Sequence, residues 1–395
     1  MGTLKLNRLQ WRIIAVCFFC NMLDGMDVLI ISFTAPVIAT QWKISPEALG
    51  LVFSSGLIGM TLGAVALAPF ADRYGRKLLM LLAALLMSGS IYLTSWATSL
   101  ESLMVFRLLS GLGIGIMMAT SAALTAEVVP SKTRGFWVSL IVAGYPVGAV
   151  LTGLISASFI GKYGWEQLYV LAGGVSLIAL PVLYFFLKES AVFKEVKAEK
   201  FVSPSGLFTS NYRYNTLKLW LALFLCFATL YYLISWIPKL ASNAGLPLEL
   251  AIYAGTVFNS GAVFGILVQG YLSTKFGLTK VVGNLLILSM LFLVGFGLFK
   301  GSAVLLVILF LLGFGVQGGF VGLYAIAASL YTTQIRATGV GWSIGLGRIG
   351  GIIGPVVGGI LVAAGFTMVE GFSSFALPIG LAGLLTRLIR LNTTQ

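Results

Sequence analysis

The stretch GAVALAPFADRYGRK at residues 63–77 runs from an apolar segment into a short basic turn, and GILVQGYLSTKFGLTK at residues 265–280 repeats that pattern far downstream. In both copies a glycine, Gly75 or Gly277, follows an aromatic residue, Tyr74 or Phe276, and Thr274 stands in the second copy where Asp72 stands in the first. A second echo pairs EVVPSKTRG (127–135) with LYTTQIRATG (330–339), each bringing an arginine and a glycine before another glycine-bearing apolar run. Self-similarity of this kind means two structural halves, as in transporters built from repeats whose substrate binds between them.

Composition sets the solvent. The 395 residues are 58% hydrophobic and 9% charged, with a mean hydropathy of +1.01. A soluble domain cannot hide that much apolar surface. At roughly 20 residues per crossing the length suits about a dozen membrane spans. The apolar runs are continuous and do not alternate, so the spans are helices and not barrel strands. We place them at 13–38, 49–70, 78–97, 102–126, 136–160, 167–187, 217–239, 250–273, 280–299, 303–330, 339–363 and 369–388. The expected fold is all-α, with a six-helix bundle over 1–187, a basic cytoplasmic linker over 188–216 and a second six-helix bundle over 217–395.

The net charge of +13 does not mark a nucleic-acid binder. With a cytoplasmic N-terminus most of the Lys and Arg residues fall in the tail and inner loops, leaving Lys43, Lys162, Lys239 and Lys300 outside and Arg107 and Arg348 within spans. This positive-inside bias predicts that both termini are cytoplasmic. The first apolar run lacks a small-residue cleavage site and reads as a span, not a signal peptide. Histidine is absent, which removes the usual proton shuttle and zinc ligand. CFFC at 17–20 and Cys226 fall in spans, where small apolar packing is the better reading than metal or redox chemistry. The strings GLGIG (111–115) and GFGVQGG (313–319) lie inside spans with no preceding strand, so they read as close helix packing and not phosphate loops. Neither a metal nor a cofactor is expected.

Several of these residues carry a family resemblance. DRYGRK (72–77), Arg107 with Gly111 and Gly115, and Glu127, Pro130, Arg134 and Gly135 resemble the major facilitator superfamily. DGMD (24–27) with RATGVGWSIGLGRIGGIIGPVVGG (336–359) resembles, more narrowly, its aromatic acid:proton symporters, and related carboxylate and nicotinate carriers look similar. One departure is Ala68, where the family usually has glycine four residues before the loop aspartate. The resemblance covers nearly the whole chain. It implies twelve helices, a bacterial inner membrane, a small aromatic carboxylate as substrate and no chemistry performed on it.

Charged residues inside the spans are the candidate machinery. At about 1.5 Å of rise per residue, Asp24 and Asp27 lie roughly 18 and 22 Å from the inner surface, Arg107 roughly 22 Å and Arg348 roughly 14 Å. All four therefore sit mid-bilayer, where a lone charge costs at least about 2.5–3.5 kcal/mol. Asp24 and Asp27 share one helix face. Their mutual repulsion and their burial both favour the protonated form of one of them, which makes the pair the candidate proton-coupling site. Arg107 is the expected partner of Asp27; the alternative is a side chain that snorkels to the outer surface. Arg348 lies in a glycine-rich span, and the acidic residues of its half, Glu249 and Glu370, fall at span ends, which leaves it a suitable seat for a substrate carboxylate. An aromatic anion also needs stacking walls and polar partners, for which the candidates are Tyr145, Tyr231, Tyr232, Trp236, Phe258, Tyr324 and Trp342 with Asn259 and Gln317. Asp72, Arg73, Arg76, Glu127, Arg134 and Arg336 lie at the cytoplasmic ends of spans and read as a charge latch that opens and closes with transport.

The resulting expectation is a proton-coupled symporter that imports a small aromatic carboxylate such as a hydroxybenzoate by alternating access. Its partners are the organic anion, protons and the lipid bilayer, and it functions as a monomer. Rival readings are a carrier of another organic anion (nicotinate, muconate or a sugar acid), a proton-driven drug exporter, and a membrane-embedded enzyme. An exporter of cations calls for exposed carboxylates in the second half, and an enzyme for a nucleophile–base pair or metal cluster that the sequence does not offer.

Overall fold

The computed structural model describes residues 6–130, 134–187, 207–209, 212–296, 302–332 and 335–391. Most of the expected linker, 188–216, lies outside the described residues. Everything described is helical or loop. In the first half the helices are α1 (Arg8–Gln41), α2 (Pro46–Leu62), the short α3 (Ala71–Tyr74), α4 (Arg76–Thr94), α5 (Leu100–Val128), α6 (Arg134–Val142), α7 (Gly144–Leu177) and α8 (Ala179–Phe186). In the second half they are α9 (Arg213–Asn243), α10 (Leu248–Phe276), α11 (Leu278–Gly295), α12 (Ser302–Leu330), α13 (Arg336–Ala363) and α14 (Met368–Arg387). Among the described residues, eleven continuous apolar segments are long enough to cross a membrane. One of them, Phe136–Phe186, has 51 residues and breaks at Gly164, whose φ of 85° ends one helix and starts the next, so it crosses twice. That gives the twelve spans expected.

Large apolar side chains point outward along these helices: Leu377 is 76% exposed and Phe185 74%. In water such exposure would be unfavourable. Facing lipid tails it costs nothing.

The two basic turns match in backbone as well as in sequence. Gly75 between α3 and α4 has φ 100°, and Gly277 between α10 and α11 has φ 89°. Both turns need the left-handed region that an L side chain rarely adopts. The approach to the first turn is not a plain helix. After α2 the chain widens into a π-helical turn, Gly63–Leu67, and tightens into a 3-10 turn, Ala68–Phe70. Pro69 supplies the cause, since it has no N–H to continue the α-helical ladder.

The chain forms two compact units, Met1–Ile31 with Ser55–Glu199 and Ser32–Ser54 with Lys200–Gln395. Within the first, α4 packs on α5 and α7. Gly111 and Gly115 of α5 bring its backbone onto the carbonyls of Gly56 and Met60. On the other side, a Cβ at Gly25 of α1 would coincide with the carbonyl oxygen of Tyr145 in α7. Small residues at such crossings let backbones approach, which is how membrane helices associate when apolar burial provides no drive. Within the second unit, α10 packs on α12, α9 on α13 and α11 on α14. There the C-terminal part of α1 is held by Ser32, which donates to the carbonyls of Ile234 (2.7 Å) and Ser235 (3.0 Å), and Ser54 donates to that of Ile352 (2.7 Å).

The α1–α7 crossing yields a stability prediction. Gly25→Val must force the helices apart and lower stability by at least about 1–3 kcal/mol, whereas Gly89→Ala, where a Cβ meets nothing within 4 Å, is tolerated. Thermal unfolding of the two purified variants followed by fluorescence-detected size exclusion checks this; equal melting points would contradict the crossing.

Candidate functional site

The first cluster is built on one face of α1. Cys17, Cys20, Asn21, Asp24 and Asp27 recur at helical spacing, and none is more than 2% exposed. Asn21 donates to the Cys17 carbonyl (2.9 Å) and to Ser121 Oγ of α5 (3.2 Å), which fixes the register of the two helices. Nearly two turns further along α1, Arg107 of α5 donates through Nη1 to Asp27 Oδ1 at 2.6 Å and to the Asp27 carbonyl at 3.0 Å. The pair is sealed, with side chains 4% and 0% exposed. Ser110 donates to the Arg107 carbonyl at 3.1 Å. Gly56 leaves room for the guanidinium, since a Cβ there would lie 3.2 Å from Nη2. Asp24 is different. It is fully buried, and neither carboxyl oxygen has a hydrogen-bond partner among the described residues. An unpaired buried carboxylate costs several kcal/mol, and a bound proton removes that charge. Tyr145 of α7 brings its backbone against Gly25, between the two aspartates, and the residue is half-buried.

The second cluster lies within the second unit. Arg348 on α13 is half-buried and forms no ion pair or hydrogen bond with the described residues. Its guanidinium lies within electrostatic reach of the hydroxyls of Tyr231 on α9 and Tyr324 on α12. Those rings continue into Phe227 and Phe320. Phe227 stacks on Tyr231 at 5.9 Å, meets Phe320 edge-on at 4.7 Å, and Phe320 lies 5.0 Å from Tyr324. Nearby elements supply an amide pair, Gln317 Nε2 of α12 donating to Asn259 Oδ1 of α10 at 3.2 Å, while Asn259 donates to the Gly255 carbonyl at 2.9 Å. A cationic group, two phenols and an aromatic wall are thus brought together, as binding a planar carboxylate requires.

Other candidates are placed elsewhere. Trp236 donates its indole N–H to the Pro355 carbonyl at 2.9 Å and meets Phe53 edge-on. Tyr232 stacks on Phe375 at 4.0 Å. Phe258 is fully buried at the α10–α12 crossing, where a Cβ on Gly313 would coincide with its carbonyl oxygen. Trp342 is 47% exposed and stacks on Trp220. Of the six loop residues, Arg76 and Glu127 pair at 2.8 Å inside the first unit, and Arg73 is exposed over the Tyr74 ring. The side chains of Asp72, Arg134 and Arg336 lie outside the described residues. Asn21, Ser110, Phe227 and Phe320 were not anticipated. The two phenylalanines stand four residues before Tyr231 and Tyr324, a spacing that would have flagged them. No group of three potential metal ligands occurs among the described residues.

Comparison with known proteins agrees with this architecture. The sequence profile of the Major Facilitator Superfamily matches residues 17–268 and 219–394. The 4-hydroxybenzoate transporter PcaK of Pseudomonas aeruginosa is 33% identical over 411 residues, covering 95% of this chain and 92% of that protein. The 3-(3-hydroxy-phenyl)propionate transporter of Escherichia coli K12 is 34% identical over 378 residues, covering 94% and 92%. Among solved structures, a D-xylose–proton symporter superposes with a TM-score of 0.78 at 17% identity, covering 97% of this chain and 98% of that one, a likeness of fold alone. With a family profile spanning nearly its whole length on a twelve-span helical fold, the chain belongs to the major facilitator superfamily, whose members here are transporters and not enzymes.

Proposed function

We propose that this chain is a symporter that carries a small aromatic carboxylate, of the hydroxybenzoate class, into a bacterial cell together with a proton by alternating access. Both termini face the cytoplasm of the inner membrane, and one chain suffices. The observation that carries the reading is Arg348, a half-buried arginine with no carboxylate partner among the described residues, set against Tyr231, Tyr324 and their phenylalanine neighbours. A substrate carboxylate supplies the missing counter-charge, and its ring takes the aromatic wall. The names of the relatives, transporters of hydroxylated aromatic acids, support the same class. Asn259 and Gln317 hold the substrate's polar substituent. Tyr232, stacked on Phe375, and Trp236, bonded to the Pro355 carbonyl, support the helices that carry this cluster, and Tyr145 belongs with the Asp24–Asp27 cluster of the first unit.

Proton coupling rests on Asp24, Asp27 and Arg107. Asp27 is already neutralised by Arg107, so Asp24 carries the proton. The loop set of Asp72, Arg73, Arg76, Glu127, Arg134 and Arg336 latches and unlatches as the carrier cycles, with Arg76–Glu127 as a stable element inside the first unit.

Two measurements follow. In binding titrations with 4-hydroxybenzoate, Arg348→Ala weakens affinity by at least about 2 kcal/mol, and Arg348→Lys restores only part, because an ammonium lacks the bidentate fork. Unchanged affinity in Arg348→Ala would remove Arg348 from the site. For the first cluster, Arg107→Gln alone leaves Asp27 buried without its partner and destabilises the fold by about 3–5 kcal/mol. Adding Asp27→Asn recovers most of that loss in thermal unfolding. Additive losses in the double variant would contradict a paired Asp27–Arg107.

A further inference from the structure

From residue 200 to the C-terminus the chain has two acidic residues, Glu249 and Glu370. Both sit in first turns, of α10 and α14. The far ends of those helices are basic. Lys275 ends α10, Arg387 ends α14, Arg213 opens α9 and Lys280 lies in the first turn of α11. Asn215 and Lys218 of α9 donate to the carbonyls of Arg390 and Leu388, the Arg387 side chain of α14 lies against Gly283 of α11, and α11 follows α10 through the Gly277 turn, so these helix ends share one face. The corresponding turn of the first half holds Asp72; here Thr274 replaces it and no carboxylate is available nearby in sequence.

On this face α10 and α11 leave a groove of about 430 Å³. Leu272, Phe276, Leu285 and Leu288 give it apolar walls, and Lys280 and Asn284 give it a polar end. Along α11 the polar residues come first and Leu288 lies two turns deeper, toward the middle of the span. Phe276 is 63% exposed and Leu288 42%. Lys275 precedes Phe276 in the last turn of α10, outside the groove lining, with its ammonium 4.6 Å from the centre of the Tyr271 ring.

We propose that this groove binds one anionic phospholipid of the cytoplasmic leaflet, with its phosphate at Lys275 and Lys280, Asn284 as a further donor, and an acyl chain against Leu272, Leu285 and Leu288. Charge complementarity selects this occupant. A neutral lipid covers the leucines and leaves two lysines unbalanced, while free phosphate balances the lysines and leaves the leucines uncovered. The inference concerns a different part of the second unit from Arg348 and does not rest on the substrate assignment.

Native mass spectrometry of the purified full chain tests it, with phosphatidylglycerol and phosphatidylcholine of identical chains titrated in parallel. At roughly fivefold per lysine beside an anionic headgroup, the first phosphatidylglycerol binds roughly thirtyfold more tightly than phosphatidylcholine. Lys275→Gln with Lys280→Gln abolishes that preference. Asn284→Trp, which fills the groove, weakens phosphatidylglycerol binding with both lysines in place. Arg213→Gln, on the same face outside the groove, keeps the wild-type preference. Equal affinity for the two lipids, an unchanged preference in the double lysine variant, loss of preference in Arg213→Gln, or displacement of phosphatidylglycerol by equimolar inorganic phosphate would overturn the proposal.

Discussion

Burying charge in a low-dielectric membrane interior is expensive, and the Asp27–Arg107 ion pair is the way the first unit meets that cost. Neither group could stand alone at this depth, so α1 and α5 must meet where the two side chains meet. The neighbouring features follow from that requirement. Gly56 clears a path for the guanidinium, Asn21 ties α1 to Ser121 nearly two turns along α1, and Gly25 lets α7 close over the same level of α1. Glycine, a poor choice for an isolated helix, is used here because close approach of backbones replaces the hydrophobic drive that lipid removes.

Among the described residues inside the spans, one further charge-bearing group in each unit stands without a counter-charge. In the first, Asp24 is buried with no partner for either carboxyl oxygen among the described residues. In the second, Arg348 has aromatic neighbours and no carboxylate. The proposed cargoes are the two missing counter-charges: a proton for Asp24 and a carboxylate for Arg348. On that proposal, coupling has a simple physical basis. A conformation that buries both groups is reached at low cost when both are neutralised, and each cargo favours the same state by differential binding.

Much of this was legible in the sequence. Continuous apolar runs located all twelve spans, because a membrane helix must satisfy its own backbone. The repeated basic turns fixed Gly75 and Gly277, whose positive φ angles only the structure could display. Helical rise alone put Asp27 and Arg107 at one depth, and they pair. Side-chain direction was less legible. Trp236 and Tyr232 have the composition of a ligand wall, yet one spends its N–H on the Pro355 carbonyl and the other stacks on Phe375. Residue type does not reveal which side of a fully apolar helix faces a neighbour, since periodicity fades when every face is apolar. The π and 3-10 turns at 63–70 were missed because a lone Pro69 can kink, end or redirect a helix, and local sequence does not choose among these.

The division of labour between the two aspartates is the central claim, and Asp24→Asn in proteoliposomes tests it most directly. Labelled 4-hydroxybenzoate is followed in two modes: accumulation driven by an inward proton gradient, and exchange between equal internal and external pools without a gradient. The account predicts that Asp24→Asn, a permanently neutral stand-in for the protonated acid, loses accumulation and retains exchange. Gradient-driven accumulation at the wild-type level in Asp24→Asn would contradict it.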